Sequence, residues 1–95
     1  MKNKLLVEDQ VAAFIQRQPP QTRCRIREAL HAVENGEVFP EPLEDELEGF
    51  YKLKIDRIRI IMKIDSGSAG PVIRAVFSER RRMVYQIFSQ ILSLE

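Results

Sequence analysis

The sequence predicts a single α+β domain, and three observations support this prediction. A chain of 95 residues is long enough for one hydrophobic core and too short for two independent ones. Apolar residues recur at intervals of three and four residues in the first third of the chain and again at its end, which is typical of amphipathic helices. From about residue 50 to residue 79, apolar and polar residues alternate and many of the apolar ones are β-branched, which is typical of strands.

The N-terminal third is predicted to begin with a strand and to continue with two helices. Lys4–Val7 is a short apolar run, and the two acids after it favour the first turn of a helix. This helix ends before Pro19 and Pro20, because the residue preceding a proline is pushed out of the helical region. A second helix, with apolar residues at helical spacing up to Val33, ends at a cap formed by Asn35 and the following glycine. We therefore expect a helical hairpin.

Three strands are predicted after a connecting loop at residues 37–48. The first covers residues 50–55, and the second begins after a turn or bulge at residues 56 and 57. A flexible connection at residues 66–70 leads to the third strand at residues 71–79. Strict alternation places Ile73, Ala75 and Phe77 on one face of this strand and Arg74 on the other.

The same alternation predicts that the basic residues of the strands share the open face of the sheet. They are Lys52, Lys54, Arg59, Lys63 and Arg74. The last predicted element is an amphipathic helix at about residues 82–94, whose first turn carries the arginines at positions 80–82 and Tyr85.

The charges are segregated along the chain, although the formal net charge is only +1. Residues 34–48 contain seven acids and no base, whereas residues 51–82 contain nine bases and three acids. Such asymmetry favours an anionic partner for the basic half, and two solvated faces that partly neutralise each other are the structural alternative. Arginines beside a helix N-terminus are unfavourable with its dipole, and a bound phosphate reverses this penalty. We therefore predict that the basic half binds phosphates, those of an RNA above all, or an acidic partner.

Several classes of site and location are not expected from the sequence. Cys24 is the only cysteine and His31 the only histidine, so neither a disulfide nor a metal site is predicted, and no cofactor is implied. The chain contains no membrane-spanning apolar run, and its first residues do not resemble a secretory signal. The cytoplasm is therefore the expected compartment.

Two short patterns resemble those of a known family. Residues 47–54, with the letters LEGFYKLK, and Arg59 with the three apolar residues after it, resemble the L-x-G…Y-K-L-K…R-hydrophobic core of the RelE/ParE toxin superfamily. Residues 80–85, RRRMVY, look like its closing R-R-x-V-Y pattern. The order of the predicted elements is also similar. Ser78 and Glu79 depart from the pattern, because many relatives carry glycine with lysine or histidine there, and Glu79 is able to pair with an arginine.

The resemblance implies a RelE-like fold and a toxin of a type II toxin–antitoxin system, with an antitoxin protein as partner. Its RelE branch implies an endoribonuclease that cleaves messenger RNA in the ribosomal A site, where the ribose 2′-hydroxyl attacks the adjacent phosphate. Carried over to this sequence, the catalytic residues are Lys54 as the base, Arg59 on the phosphate, Arg81 on the developing charge, and Tyr85. The residues expected to bind the RNA are Lys52, Arg57, Lys63, Arg74, Arg80 and Arg82.

Two other functions remain open at this point. The ParE branch shares the fold and inhibits DNA gyrase, but it needs no catalytic set of lysine, arginine and tyrosine. The second alternative function is that of a non-catalytic binding module, whose basic face binds an antitoxin or a structured RNA. The register of the arginine run, with either Arg80 or Arg81 as the key residue, is also open.

Overall fold

The structure is a computed structural model that describes residues 3–94, and it confirms the mixed α+β architecture. Its elements are β1 (Lys4–Val7), α1 (Asp9–Gln16), α2 (Pro20–Glu34), β2 (Glu41–Pro42), β3 (Phe50–Ile55), β4 (Ile58–Gly67), β5 (Gly70–Arg80) and α3 (Val84–Ser93). The strands form one sheet in the order β1-β5-β4-β3-β2. Neighbouring strands are antiparallel except for β1 and β5, which are parallel. None of the helices described is long and apolar enough to cross a membrane.

The first face of the sheet packs against α1 and α2. Pro20 occupies the first turn of α2, where its missing N–H group costs no helical hydrogen bond. Both helices contact strands as well as each other, with α1 against β5 and α2 reaching β1 and β3. The larger core of the molecule lies here. Its buried side chains are Val11, Phe14, Ile26, Leu30, Val33, Leu53, Ile55, Ile58, Ile60, Met62, Ile73 and Ala75.

The second face packs against α3 and holds a smaller core. Phe88 of α3 stacks on Phe77 of β5 at a centroid distance of 5.7 Å and meets the ring of Phe50 edge-on at 5.0 Å. The buried members are Leu47, Ile61, Phe77, Val84 and Phe88. The face expected to be open is therefore partly covered by the C-terminal helix.

A β-bulge at Val76 corrects the predicted facing of β5. Ile61 lies opposite Phe77 and Met62 lies opposite Ala75, so Val76 is the extra residue. Val76 and Phe77 both pack in the smaller core. Because two successive side chains of a bulge share one face, Phe77 lies on the second face, and its predicted grouping with Ile73 and Ala75 was wrong.

Gln10 of α1 covers the edge of β5 beyond the point where β1 ends. Its side-chain oxygen accepts a hydrogen bond from the backbone N–H of Ser78 at 2.8 Å, and its amide donates to the carbonyl of Ser78 at 3.0 Å. The hydroxyl of Ser78 donates to the same oxygen at 3.3 Å. Ser78 is completely buried, so this one side chain takes the place of a neighbouring strand.

Three other boundaries differ from the predictions. The loop at residues 37–48 contains the edge strand β2 and a 3₁₀ turn at Asp45–Leu47. The connection at residues 66–70 is a two-residue turn, because Gly67 pairs with Gly70. Gly70 has a φ of 120°, and a Cβ on Gly67 would lie 2.7 Å from the carbonyl oxygen of Gly70. Finally, α3 begins at Val84 rather than at residue 82.

Candidate functional site

A row of three charged residues crosses the second face of the sheet near the turn between β3 and β4. Lys54 of β3 lies opposite Arg59 of β4, and Arg59 lies opposite Glu79 of β5. Neighbouring strands are about 4.8 Å apart and residues directly opposite each other share a face. The chain thus places a lysine, an arginine and a glutamate side by side, and we call them the Lys54–Arg59–Glu79 row.

Arg59 is held on the turn that begins its strand. Its Nη1 donates to the backbone carbonyl oxygens of Asp56 at 2.8 Å and Ile58 at 2.9 Å. Asp56 has a φ of 53°, a left-handed conformation that aspartate tolerates better than most residues. Within residues 3–94 Arg59 forms no ion pair. The guanidinium is oriented by neutral partners, and its charge is not neutralised by a carboxylate of the described chain.

The two lysines of β3 share one acidic partner. Glu41 of β2 lies opposite Lys52, and its carboxylate is 3.4 Å from Nζ of Lys54 and 4.0 Å from Nζ of Lys52. The predicted alternative, in which the acidic segment partly neutralises the basic one, therefore holds for these two residues. No pattern in the sequence indicated Glu41, because its position depends on the pairing of a two-residue strand.

Tyr85 lies in the first turn of α3, beside Lys52. The Nζ of Lys52 is 6.0 Å from the centroid of the Tyr85 ring, at the limit of a cation–π contact. Tyr85 is partly buried against the smaller core. Helix α3 therefore brings the predicted tyrosine to the strand that carries Lys54.

Glu79 does not pair with an arginine side chain within the described residues. One of its carboxylate oxygens accepts a hydrogen bond from the backbone N–H of Arg80 at 3.0 Å. The side chain is partly buried. The ion pair between Glu79 and an arginine that the sequence suggested is therefore not formed among the described residues. The carboxylate of Glu79 lies at one end of the Lys54–Arg59–Glu79 row.

The arginines before α3 line a different part of the surface. An open cavity of about 740 Å³ is lined by Gln18, Thr22, Asp56, Arg57, Ile58, Arg80, Arg81, Arg82 and Met83. We call it the arginine pocket. Its acid, Asp56, is paired with Arg25 of α2 at 3.1 Å, whereas the four lining arginines form no ion pair within residues 3–94. The lining does not include Lys54, Arg59 or Tyr85.

The sheet, and not the helix, positions this arginine run. Arg80 is the last residue of β5 and lies opposite Ile58. The backbone N–H of Arg81 donates to the carbonyl oxygen of Arg57 at 2.8 Å, which extends the pairing by one residue. The prediction that Arg80, Arg81 and Arg82 lie in the first turn of α3 was wrong. Sequence reasoning also missed Gln18 and Thr22, which reach the pocket only through tertiary packing.

Arg74 and Lys63 lie at the other end of the second face, away from the Lys54–Arg59–Glu79 row and the arginine pocket. Arg74 is 3.3 Å from Glu8 and its Nε is 2.8 Å from Asp65, a close ion pair without hydrogen-bond geometry. Lys63 lies between Phe50 and Arg74 in the register, with its Nζ 5.9 Å from the centroid of Phe50. The five strand cations share the second face, as alternation predicted. They do not form one cluster, because Arg74 and Lys63 lie beyond the smaller core from Lys54 and Arg59.

Comparison with known proteins identifies the fold. No protein-family model matches the sequence, and no curated protein matches it. Several chains of solved structures are similar, and three of them are described. A chain of the RelBE2 toxin–antitoxin complex from Mycobacterium tuberculosis has a TM-score of 0.70 and 16% identity, over 85% of this chain and 100% of that chain. A chain of the archaeal RelE–RelB complex from Pyrococcus horikoshii OT3 has a TM-score of 0.62 and 18% identity, over 85% of this chain and 97% of that one.

The third structure is the YoeB/ParE toxin from Agrobacterium tumefaciens. Its TM-score is 0.60 and its identity 16%, over 81% of this chain and 97% of that chain. The RelE/ParE-like fold implied by the two sequence patterns is thereby confirmed. At these identities the likeness establishes the fold.

Proposed function

We propose that this protein is the toxin of a type II toxin–antitoxin system, and that it is an endoribonuclease that cleaves messenger RNA in the ribosomal A site. The observation that carries the proposal is the Lys54–Arg59–Glu79 row, in which a lysine, an arginine and a glutamate lie side by side on one face. Tyr85 lies beside Lys52, on the strand that carries Lys54. The similarity of the fold to chains of two toxin–antitoxin complexes supports an antitoxin as the partner.

The reaction needs few groups, and none of them has to be histidine. The ribose 2′-oxygen forms a bond to phosphorus while the bond from phosphorus to the 5′-oxygen breaks, which leaves a 2′,3′-cyclic phosphate and a 5′-hydroxyl. One group must take the proton of the 2′-hydroxyl, another must protonate the 5′-oxygen, and cations must stabilise the charge on the phosphate. Arg59 is the proposed phosphate contact, Arg81 the second cation, and Lys54 and Tyr85 complete the catalytic set.

The arginine pocket is proposed to hold the RNA strand beside the reacting phosphate. Arginine matches phosphate oxygens with two parallel hydrogen bonds, and Arg57, Arg80 and Arg82 are exposed. Lys52 contributes to binding from the sheet face. Arg74 and Lys63 lie further away, and we propose a contribution from them only through the overall positive potential. Binding of this kind weakens as salt concentration rises.

The test is cleavage of a messenger RNA on purified ribosomes, with the 5′ and 3′ ends of the products identified. Replacement of Lys54 or Arg81 by alanine is expected to lower the single-turnover rate at least 100-fold, the usual effect of losing a proton-transferring or charge-stabilising group. Arg27→Ala removes an exposed arginine of α2 that lies outside the Lys54–Arg59–Glu79 row and the arginine pocket. This variant should cleave messenger RNA at the wild-type rate. Thermal unfolding and binding of the antitoxin should be unchanged in all three variants.

Two other outcomes would contradict the proposal. Intact messenger RNA together with gyrase trapped on DNA would assign the protein to the ParE-like alternative, which the similarity to a YoeB/ParE toxin keeps relevant. A wild-type protein that neither cleaves RNA nor arrests growth would identify a binding module.

A further inference from the structure

We propose that Glu79 accepts the proton of the ribose 2′-hydroxyl and that Lys54 donates a proton to the leaving 5′-oxygen, with Arg59 on the phosphate between them. This assignment rests on the proposed endoribonuclease function. It reverses the role that the family resemblance implies for Lys54, and it makes a catalytic residue of the position where this sequence departs from the family pattern.

The order of the residues across the sheet supports this assignment. In a displacement at phosphorus the attacking and leaving oxygens lie on opposite sides of the phosphorus atom. The base and the acid must therefore stand on opposite sides of the group that binds the phosphate. Arg59 is the middle member of the row, with Glu79 on one neighbouring strand and Lys54 on the other. The strand spacing puts the two outer residues about 10 Å apart, which leaves room for a phosphodiester on Arg59.

The contacts of Lys54 favour a proton donor. Its Nζ lies 3.4 Å from the carboxylate of Glu41, and an ammonium group in such a pair has protons to donate and no lone pair to accept one.

The contacts of Glu79 favour a proton acceptor. An ionised carboxylate only accepts hydrogen bonds. The Oε1 atom of Glu79 is occupied by the backbone N–H of Arg80 at 3.0 Å, which fixes the side chain. The carboxylate of Glu79 forms no ion pair within residues 3–94. Its second oxygen, Oε2, is therefore not bound by a cation of the described chain.

The proposed step balances as follows. The 2′-hydroxyl proton moves to the carboxylate of Glu79 as the 2′-oxygen bonds to phosphorus. The bond from phosphorus to the 5′-oxygen breaks, and that oxygen takes a proton from the ammonium of Lys54. Exchange of protons with water then restores both side chains.

The first measurement is the single-turnover cleavage rate of Glu79→Gln on ribosome-bound messenger RNA. Glutamine keeps an oxygen that can accept the N–H of Arg80 but is not a base, so the turn before α3 is preserved. We expect the rate to fall at least 100-fold, with thermal unfolding and RNA binding unchanged. Glu37→Gln, which alters an exposed acid of the connecting loop, is the matched control and should retain the wild-type rate. A Glu79→Gln rate within threefold of the wild type would overturn the proposal.

The second measurement separates the donor from the acceptor. A messenger RNA with sulfur in place of the 5′-oxygen at the cleavage site has a leaving group that departs without a proton, because thiols are far more acidic than alcohols. This substrate should restore cleavage by Lys54→Met to within tenfold of the wild type on the same substrate, but it should not restore cleavage by Glu79→Gln. Rescue of Glu79→Gln instead would give Glu79 the donor role and refute the assignment.

Failure of the proposed function gives a different result. In that case the wild-type protein leaves both messenger RNAs intact, whereas failure of the present assignment alone leaves the wild type active and changes only the pattern among the variants.

Discussion

The two faces of the sheet use the same strands in different ways. The first face, against α1 and α2, is a continuous apolar surface. The second face has an apolar centre under α3, with the Lys54–Arg59–Glu79 row at one end and Lys63 with Arg74 at the other. Burial of apolar area is the main stabilising term in a small domain, so the first face carries most of the stability. This leaves the second face room for charged residues that contribute little to folding.

Two phenylalanines offer the strongest test of this comparison. Phe14 on the first face and Phe88 on the second are 5% and 6% exposed. Phe14→Ala leaves a cavity between a helix and the sheet and should lower the free energy of unfolding by about 3–5 kcal/mol. Phe88→Ala should cost about 3 kcal/mol or less, because α3 packs on a smaller core and can shift into the space. Urea unfolding measures both values.

Hydrogen exchange shows whether the faces open separately. In Phe88→Ala the amides of α3 should exchange much faster, whereas those of α1, α2 and the sheet should stay protected. In Phe14→Ala protection should fall throughout the chain. Equal losses of stability in the two variants, with α3 amides that exchange only through global unfolding, would show that the two cores are one cooperative unit.

The link between α1 and β5 predicts a smaller effect. Gln10→Ala leaves the backbone N–H and carbonyl of the buried Ser78 without their partner. An unsatisfied buried polar group costs about 1–3 kcal/mol, so the free energy of unfolding should fall by this amount. Gln16→Ala, on an exposed position of the same helix, should change it by less than about 0.5 kcal/mol. A Gln10→Ala variant as stable as Gln16→Ala would mean that water replaces the amide.

Periodicity predicted the elements of the fold because the buried face of an element carries apolar residues at a regular spacing. The spacing is every second residue in a strand and every third or fourth residue in a helix. The three main strands, both N-terminal helices and α3 lie close to the predicted positions. The short strand β2 left no such trace, because two residues are too few for a period. The start of α3 was misplaced because Arg80 and Arg81 are held by pairing with the β3–β4 turn, a contact between residues more than twenty positions apart.

The candidate site was also predictable only in part, because several of its contacts join segments that are far apart in the sequence. Alternation put Lys54 and Arg59 on one face, and the register confirms that they are opposite each other. It did not show that Arg74 is engaged by Glu8 and Asp65, since these partners come from distant segments. Nor did it separate the arginine pocket from the sheet face, because this depends on where the link between α1 and α2 passes.

The bulge at Val76 provides the last and smallest test, since it sets how β5 divides its side chains between the two faces. Ile61 faces both Val76 and Phe77, and the regular pairing resumes on either side. Deletion of Val76 should therefore leave Ala75 and Ser78 on the first face and Phe77 on the second, in an uninterrupted ladder. The half-buried valine contributes about 1 kcal/mol of apolar burial, and the free energy of unfolding should fall by about that amount. Deletion of Arg74 removes a residue from the regular part of the strand and would force Ile73 onto the wrong face, so it should cost several kcal/mol more. Urea unfolding compares the two deletions, and equal losses would show that β5 does not depend on the bulge to place its side chains.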